Sequence, residues 1–166
     1  MAREMRRKNQ QLSRAACLEI LQSRANTSGV LAVLGDGGYP YALPLSFVYG
    51  GDALYFHCAK SGHKLDAIKR CDKVSFCIVD KDEVVPQEYT TYYRSVIVFG
   101  RASIVESDGE RRAALRKIAE KYNPLGTPQA HEQEIEKSFA AVCVLKLTIE
   151  ELTGKEAKEL VKQRKA

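Results

Sequence analysis

Residues 39–49 limit the possible folds more than any other stretch. Odd positions carry Tyr39, Tyr41, Leu43, Leu45, Phe47 and Tyr49, and even positions carry Pro40, Ala42, Pro44, Ser46 and Val48. Side chains alternate across a β-strand, so the pattern describes a strand with one bulky apolar face and one face of small groups. Proline gives no N–H to a ladder, which sends this strand to a sheet edge or a bulge. Asp36-Gly37-Gly38 before it and Gly50-Gly51-Asp52 after it read as hairpin turns. Tight turns join antiparallel neighbours. The small face leaves the backbone accessible to a flat ligand.

The rest of the chain repeats this grammar. Short strands are expected at residues 29–34, 53–57 and 73–79, a long one at 90–105 with Gly100 as a bulge, and a closing one at 140–149. Residues 80–87, charged and ending near Pro86, read as a loop. Ser13 caps a helix to about residue 24, with Cys17, Ile20 and Leu21 on its buried side. Ser61 starts a helix to about residue 70. Ser107-Asp108-Gly109-Glu110 is a capping box for a helix striped by Ala114, Leu115, Ile118, Ala119 and Tyr122 and stopped by Asn123-Pro124. Thr127 and Pro128 open a shorter helix. About six strands in close succession predict a mainly β fold, a small antiparallel barrel with peripheral α-helices. Strands and helices do not alternate, which argues against a doubly wound sheet.

The 166 residues fit one domain. The net charge of +5 sits at the ends. Residues 1–14 carry five cations and one acid, and residues 155–166 carry five cations and two acids, which leaves the body at −2. Residues 1–10 and 157–166 are therefore expected to be flexible basic tails, and nucleic-acid binding is not expected. No apolar run reaches the length of a membrane span, and the N-terminus lacks the apolar core of a secretory signal. Five cysteines without CxxC spacing suit a reducing cytoplasm and offer no zinc site.

Several chemistries fail on their motifs. A G-x-G-x-x-G starting at Gly35 breaks at Pro40, Gly62-His63-Lys64 lacks the upstream glycine of a P-loop, and no G-x-S-x-G occurs. His57 and Cys58 are adjacent in a strand and point to opposite faces, so they do not form a nucleophile–base pair. The segment from His57 to Lys64 is the strongest candidate. It joins an apolar strand to a helix through Ser61-Gly62. Free N–H groups at a helix start bind phosphate. Lys64 is a cation at the end of the helix that disfavours cations, a placement that a bound anion offsets; its other reading is an exposed helix lysine. His57 is either a half-buried residue ending the strand or a donor toward a ligand. His63 reads as surface and His131 as an ordinary residue of a polar helix. Tyr89 to Ser95 reads as cross-strand aromatic packing or as a wall for an aromatic ligand.

These pieces keep a recognisable order. They are Met5-Arg6-Arg7-Lys8, Tyr39-Pro40-Tyr41, Pro44 to Tyr49, Leu54-Tyr55-Phe56-His57, Gly62 to Leu65, Tyr93-Arg94-Ser95-Val96, Val98-Phe99-Gly100 and Thr153-Gly154-Lys155-Glu156. Together they resemble the FMN-binding split barrels, the superfamily of pyridoxine 5′-phosphate oxidase, and within it the nitroimidazole-resistance and related flavin-nucleotide-binding proteins. The resemblance implies a six-stranded antiparallel split β-barrel, a homodimer with FMN at the subunit interface, and reduction of nitroaromatic or similar small planar substrates. It implies that Pro44, Leu45, Ser46 and Phe47 lie along the isoalloxazine ring and that Ser61, Gly62 and Lys64 take the phosphate. Arg94 and Ser95 approach the cofactor, from the second subunit or the first, and Lys155 lies near it. His57 stands beside the flavin pocket as the candidate catalytic residue, and Tyr92 and Tyr93 line the substrate pocket. A non-catalytic flavin- or haem-holding barrel is the alternative. The arginine-rich phosphate motif and C-terminal substrate arginines of the true oxidase are missing, so oxidation of pyridoxine phosphate is not expected.

Overall fold

The computed structural model describes residues 3–165. Residues 1, 2 and 166 of the two expected tails lie outside the described residues. The elements are α1 (Arg14–Gln22), β1 (Ser28–Leu34), β2 (Pro40–Ser46), β3 (Val48–Tyr49), β4 (Ala53–Ala59), α2 (His63–Arg70), β5 (Lys73–Val85), β6 (Thr90–Ile104), α3 (Asp108–Tyr122), α4 (Pro128–Ser138), β7 (Val142–Glu156) and α5 (Lys158–Lys165). All recorded strand pairings are antiparallel.

The sheet has seven strands in the order β2-β1-β5-β6-β7-β4-β3, and its ladder does not close. The expectation of a six-stranded split barrel is corrected in its strand count: the described sheet has seven strands, and it is open. The extra strand comes from residues 39–49, expected as one strand. They break at Phe47 into β2 and β3, which occupy opposite edges of the sheet. Two edges joined by one residue force the sheet to curl, and twist drives the curl. The alternation itself holds: Tyr41, Leu43 and Leu45 are half-buried, while Pro40, Ala42, Pro44 and Ser46 are exposed. β2 pairs with β1 through both prolines, from Pro40↔Leu34 to Ser46↔Ser28. That register is tolerated on an edge strand, where a missing N–H faces no neighbour.

Two further strands are longer than expected. Residues 80–85, expected in a loop, continue β5 and pair with β6 from Lys81↔Arg94 to Val85↔Thr90 after a register shift at Val79. Their charges lie on a two-stranded arm, where cross-strand bonding overrides local composition. β7 continues past residue 149 to Glu156. Gly100 does mark an irregularity, between Phe99 and Gly100 in the β6–β7 register. A Cβ there would sit 1.9 Å from the Thr148 carbonyl oxygen, so only glycine fits.

The concave side is the main core. Leu31, Phe76, Ile78, Val96, Val98, Leu145, Leu147, Leu54 and Phe56 fill it, with Cys17 and Leu21 from α1 and Leu65 and Ile68 from α2. Phe76 meets Phe47 and Phe56 edge-on, at 5.2 and 5.0 Å between ring centres. A second core lies on the outer side of β4 and β7, where Val144 packs with Ala114 and Leu115 of α3 and Ile135 of α4. His131, expected as ordinary, is buried there and lies 3.1 Å from the Asn123 carbonyl. The C-terminal segment is helical: Ala157 and Val161 are buried, and Arg164 pairs with buried Glu156 at 2.9 Å. No described helix is long and apolar enough to cross a membrane.

Candidate functional site

The turn from β4 into α2 differs from the other capped helix starts. Ser13, Ser107 and Thr127 accept backbone N–H bonds at the starts of α1, α3 and α4. Ser61, expected as a cap, does not. The N-cap is Gly62, with φ 132° and no side-chain cap. That φ suits glycine alone, and it turns the chain one residue later than Ser61 would have done. Leu65 and Asp66 donate to the Gly62 carbonyl. The N–H groups of His63 and Lys64 precede the first helical acceptor and have none within the helix. Lys64 is half-buried and has no carboxylate partner among the described residues.

His63 carries a contact the sequence did not reveal. Its ring stacks on Tyr41 of β2, with centres 4.3 Å apart and planes 12° off parallel. Its Nε2 lies 3.5 Å from Asp36, which also pairs with Arg70 of α2 at 2.9 Å. The loop 61–64 is therefore fastened beside the proline-bearing edge strand. Pro44 and Ser46 stand exposed on that strand and Leu45 half-buried.

Phe47 is placed differently from its neighbours. Its side chain is fully buried, and α3 takes its backbone. Its N–H donates to the Tyr122 hydroxyl at 2.8 Å, and its carbonyl accepts from Lys121 at 3.0 Å. The Tyr122 hydroxyl donates to the Thr27 carbonyl. Lys121 also donates to the Asn26 carbonyl at 2.7 Å and lies 3.8 Å above the Phe47 ring centre. Burial holds the Lys121 ammonium down to about 8. This clamp fixes the point where the chain leaves one sheet edge for the other. A lysine and a tyrosine at the end of a helical stripe gave no local sign of it.

The remaining expected residues fall on separate surfaces. His57 is exposed on the outer side of β4, opposite Val144. It borders a cavity of about 660 Å³ lined also by Leu115, Ile118, Tyr122 and Ile135. Ser95 and Lys155 are register partners on β6 and β7, and the Lys155 ammonium lies 5.4 Å from the Tyr93 ring centre. Arg94 points to the other face of the strand and pairs with Asp80 at 2.5 Å. Tyr92 donates to Glu88 at 2.8 Å, and its hydroxyl pKa is raised first by that bond. One copy of the chain thus brings β2 and the loop 61–64 together but does not gather His57, Ser95, Lys155 and Arg94 around them.

The outer face across β2, β1, β5 and β6 is bare. Pro44, Val30, Cys77, Ile97 and Thr153 form one transverse row through successive registers. Val30 is 42% exposed, Ile97 36%, Phe99 39% and Val79 59%. These apolar side chains share one face that no helix of the described chain covers.

Comparisons with known proteins agree with this architecture. No curated protein matches the sequence. Among solved structures, a candidate 5-nitroimidazole antibiotic resistance protein of Bacteroides thetaiotaomicron superimposes with a TM-score of 0.72 at 22% identity, covering 88% of this chain and 86% of that one. A FAD-binding protein of Mesorhizobium loti gives 0.63 at 27% identity, covering 89% and 96%. A FAD- and haem-binding protein of Mycobacterium smegmatis gives 0.70 at 20% identity, covering 96% and 81%. A family profile described as pyridoxamine 5′-phosphate oxidase matches residues 13–156, nearly the whole described chain. The fold and the sequence profile thus agree, and the chain belongs to the pyridoxamine 5′-phosphate oxidase family.

Proposed function

We propose that this chain is a homodimeric FMN-binding flavoprotein that reduces nitroaromatic or similar small planar compounds. One observation carries the reading: among the described residues the start of α2 has no side-chain cap and no carboxylate on Lys64, and it is stacked against the edge strand β2. Unsatisfied N–H groups and an ammonium at a helix start fit a phosphate monoester. The small exposed face of β2 fits a planar ring. Similarity to a FAD-binding protein supports a flavin, and similarity to a candidate nitroimidazole-resistance protein supports the acceptor class.

In this reading Gly62 and Lys64 hold the phosphate, with Ser61 beside them, and Pro44, Leu45 and Ser46 flank the ring. Phe47 sets the strand's path from behind. The flavin, when bound, supplies the electron transfer. His57 orients the substrate or gives it a proton from the rim of its cavity. A second copy laid against the bare sheet face brings Ser95, Lys155 and Tyr93 toward the site, and Tyr92, on the other face of the same arm, lines the substrate pocket from its end. Arg94, held by Asp80, positions its strand.

The test is direct. Protein purified and reconstituted with FMN should retain the two-banded absorption of an oxidised flavin, sediment as a dimer, and turn over a 5-nitroimidazole with reduced nicotinamide as donor. Loss of flavin on gel filtration, with no measurable affinity, sinks the reading. A second reading is a flavin- or haem-holding barrel without turnover. It is favoured by the exposed His57 on a cavity of ligand size and by the similarity to a FAD- and haem-binding protein. A Soret band after haem addition, lost in His57→Ala, would establish it.

A further inference from the structure

We propose that Cys58 and Cys143 form a reversible redox modification site, a cross-strand thiol pair that peroxide closes to a disulfide. The register of β4 and β7 sets the two residues directly opposite each other. Directly opposed residues of an antiparallel ladder share a face, with Cα atoms about 4.5–5.5 Å apart. That lies inside the window of about 4.4–6.8 Å in which disulfides form. Closing the bond draws the two Cβ atoms together by about 1 Å and requires no strand to move. The other three thiols have no such partner. Cys17 is buried on α1, Cys71 follows α2, and Cys77 stands opposite Val30 and Ile97.

All five cysteines are free. Cys58 is half-exposed, and Cys143 borders a cleft of about 270 Å³ whose lining includes Lys60 and Arg111. An oxidant can therefore reach the pair. Burial first, and then the neighbouring Cys143 thiol, raise the Cys58 thiol to about 11, while Lys64 acts in the opposite direction. Cys58 is thus held as a thiol at neutral pH and reacts faster as pH rises.

The chemistry balances with one peroxide. A thiolate attacks a peroxide oxygen to give a sulfenic acid and hydroxide, which takes up the proton released by the thiol. The second thiol displaces the sulfenic oxygen as water and forms the S–S bond. Two thiols lose two electrons, peroxide gains them, and two waters leave. The cross-link ties the last rungs of β4 just ahead of the loop 61–64, and it needs no flavin.

The experiment uses the full chain, treated with hydrogen peroxide, alkylated, and read by intact mass and peptide mapping. The expected product has lost two hydrogen atoms and two alkylatable thiols, and its map joins the peptide of Cys58 to that of Cys143. Dithiothreitol should reverse it. Its formation rate should rise about tenfold per pH unit below the thiol pKa. Cys58→Ser and Cys143→Ser should each abolish the product, and Cys77→Ser should leave it. The wild-type peptide map decides the matter even if a variant fails to fold. A cross-link through Cys17, Cys71 or Cys77, a disulfide between two chains, or sulfinic acid at Cys58 without a cross-link would overturn the proposal.

Discussion

The two outer faces of the sheet are built from the same alternating pattern and meet different fates. Over β4 and β7, α3 and α4 bury Val144 completely and half-bury Tyr55. Over β2, β1, β5 and β6, Val30, Ile97 and Phe99 remain open. An apolar strand face is stable only when something covers it. The first face is covered by the chain's own helices; the second is open on a single copy, and the proposed function has a second copy cover it.

Charge placed on each face should separate them most sharply. Val144→Asp puts an unpaired carboxylate under two helices and should cost about 3–5 kcal/mol, read as a lower urea midpoint. Ile97→Asp should leave the midpoint nearly unchanged and shift sedimentation from dimer to monomer. If Ile97→Asp unfolds the chain as readily as Val144→Asp, the contrast between the faces is wrong.

The helix starts at the two faces differ in the same sense. At α3, Ser107 caps the helix and Glu110 accepts from Tyr55 at 3.0 Å and Lys146 at 2.8 Å. The Lys146 bond, followed by the Tyr55 bond, holds the Glu110 carboxyl below its usual range. At α2 no side chain caps the helix start, and Lys64 has no carboxylate partner among the described residues; the acids nearby are Asp66 of the first turn and Asp36 beside His63. Lys64→Ala should therefore weaken FMN binding roughly ten- to a hundredfold, the worth of a charge-assisted hydrogen bond of about 1.5–3 kcal/mol, by fluorescence titration and without loss of stability. Ser107→Ala should destabilise by about 1 kcal/mol in thermal melts. Ser61→Ala should not move the melting temperature at all.

The smallest effect concerns α3 where it clamps Phe47. Lys121 has a folded pKa of about 8 against an ordinary 10.5. Below pH 8 it is charged in both states, and folding buries that charge at a cost. As pH rises from about 8 to 10.5 the folded state sheds its proton first, so this group's contribution to stability increases over that window. Lys121→Met should flatten the rise between those values in urea denaturation followed against pH. An unchanged slope would place the ammonium in solvent.

The legibility of the fold varied by segment. The faces of residues 40–46 were readable because alternation is local. The break at Phe47 was not, since the pattern runs on undisturbed through Val48 and Tyr49 while the chain changes sheet edges. Residues 80–85 read as a loop from four consecutive charged side chains, yet the ladder with β6 makes them a strand. At the site, the strand-to-helix turn and Lys64 were visible in sequence. The stack of His63 on Tyr41 and the pairing of Cys58 with Cys143 depend on register and curl, which no local spacing encodes.

The sequence by itself determined the antiparallel strands, the proline-limited ladder of residues 39–49, the caps of α1, α3 and α4, and a strand-to-helix turn before α2, because each follows from backbone sterics and hydrogen-bonding over a few residues. Only the tertiary structure decided which strands became edges, which apolar face stayed bare and which distant side chains met. Those outcomes depend on how a twisted sheet curls around one core, a property of all seven strands at once.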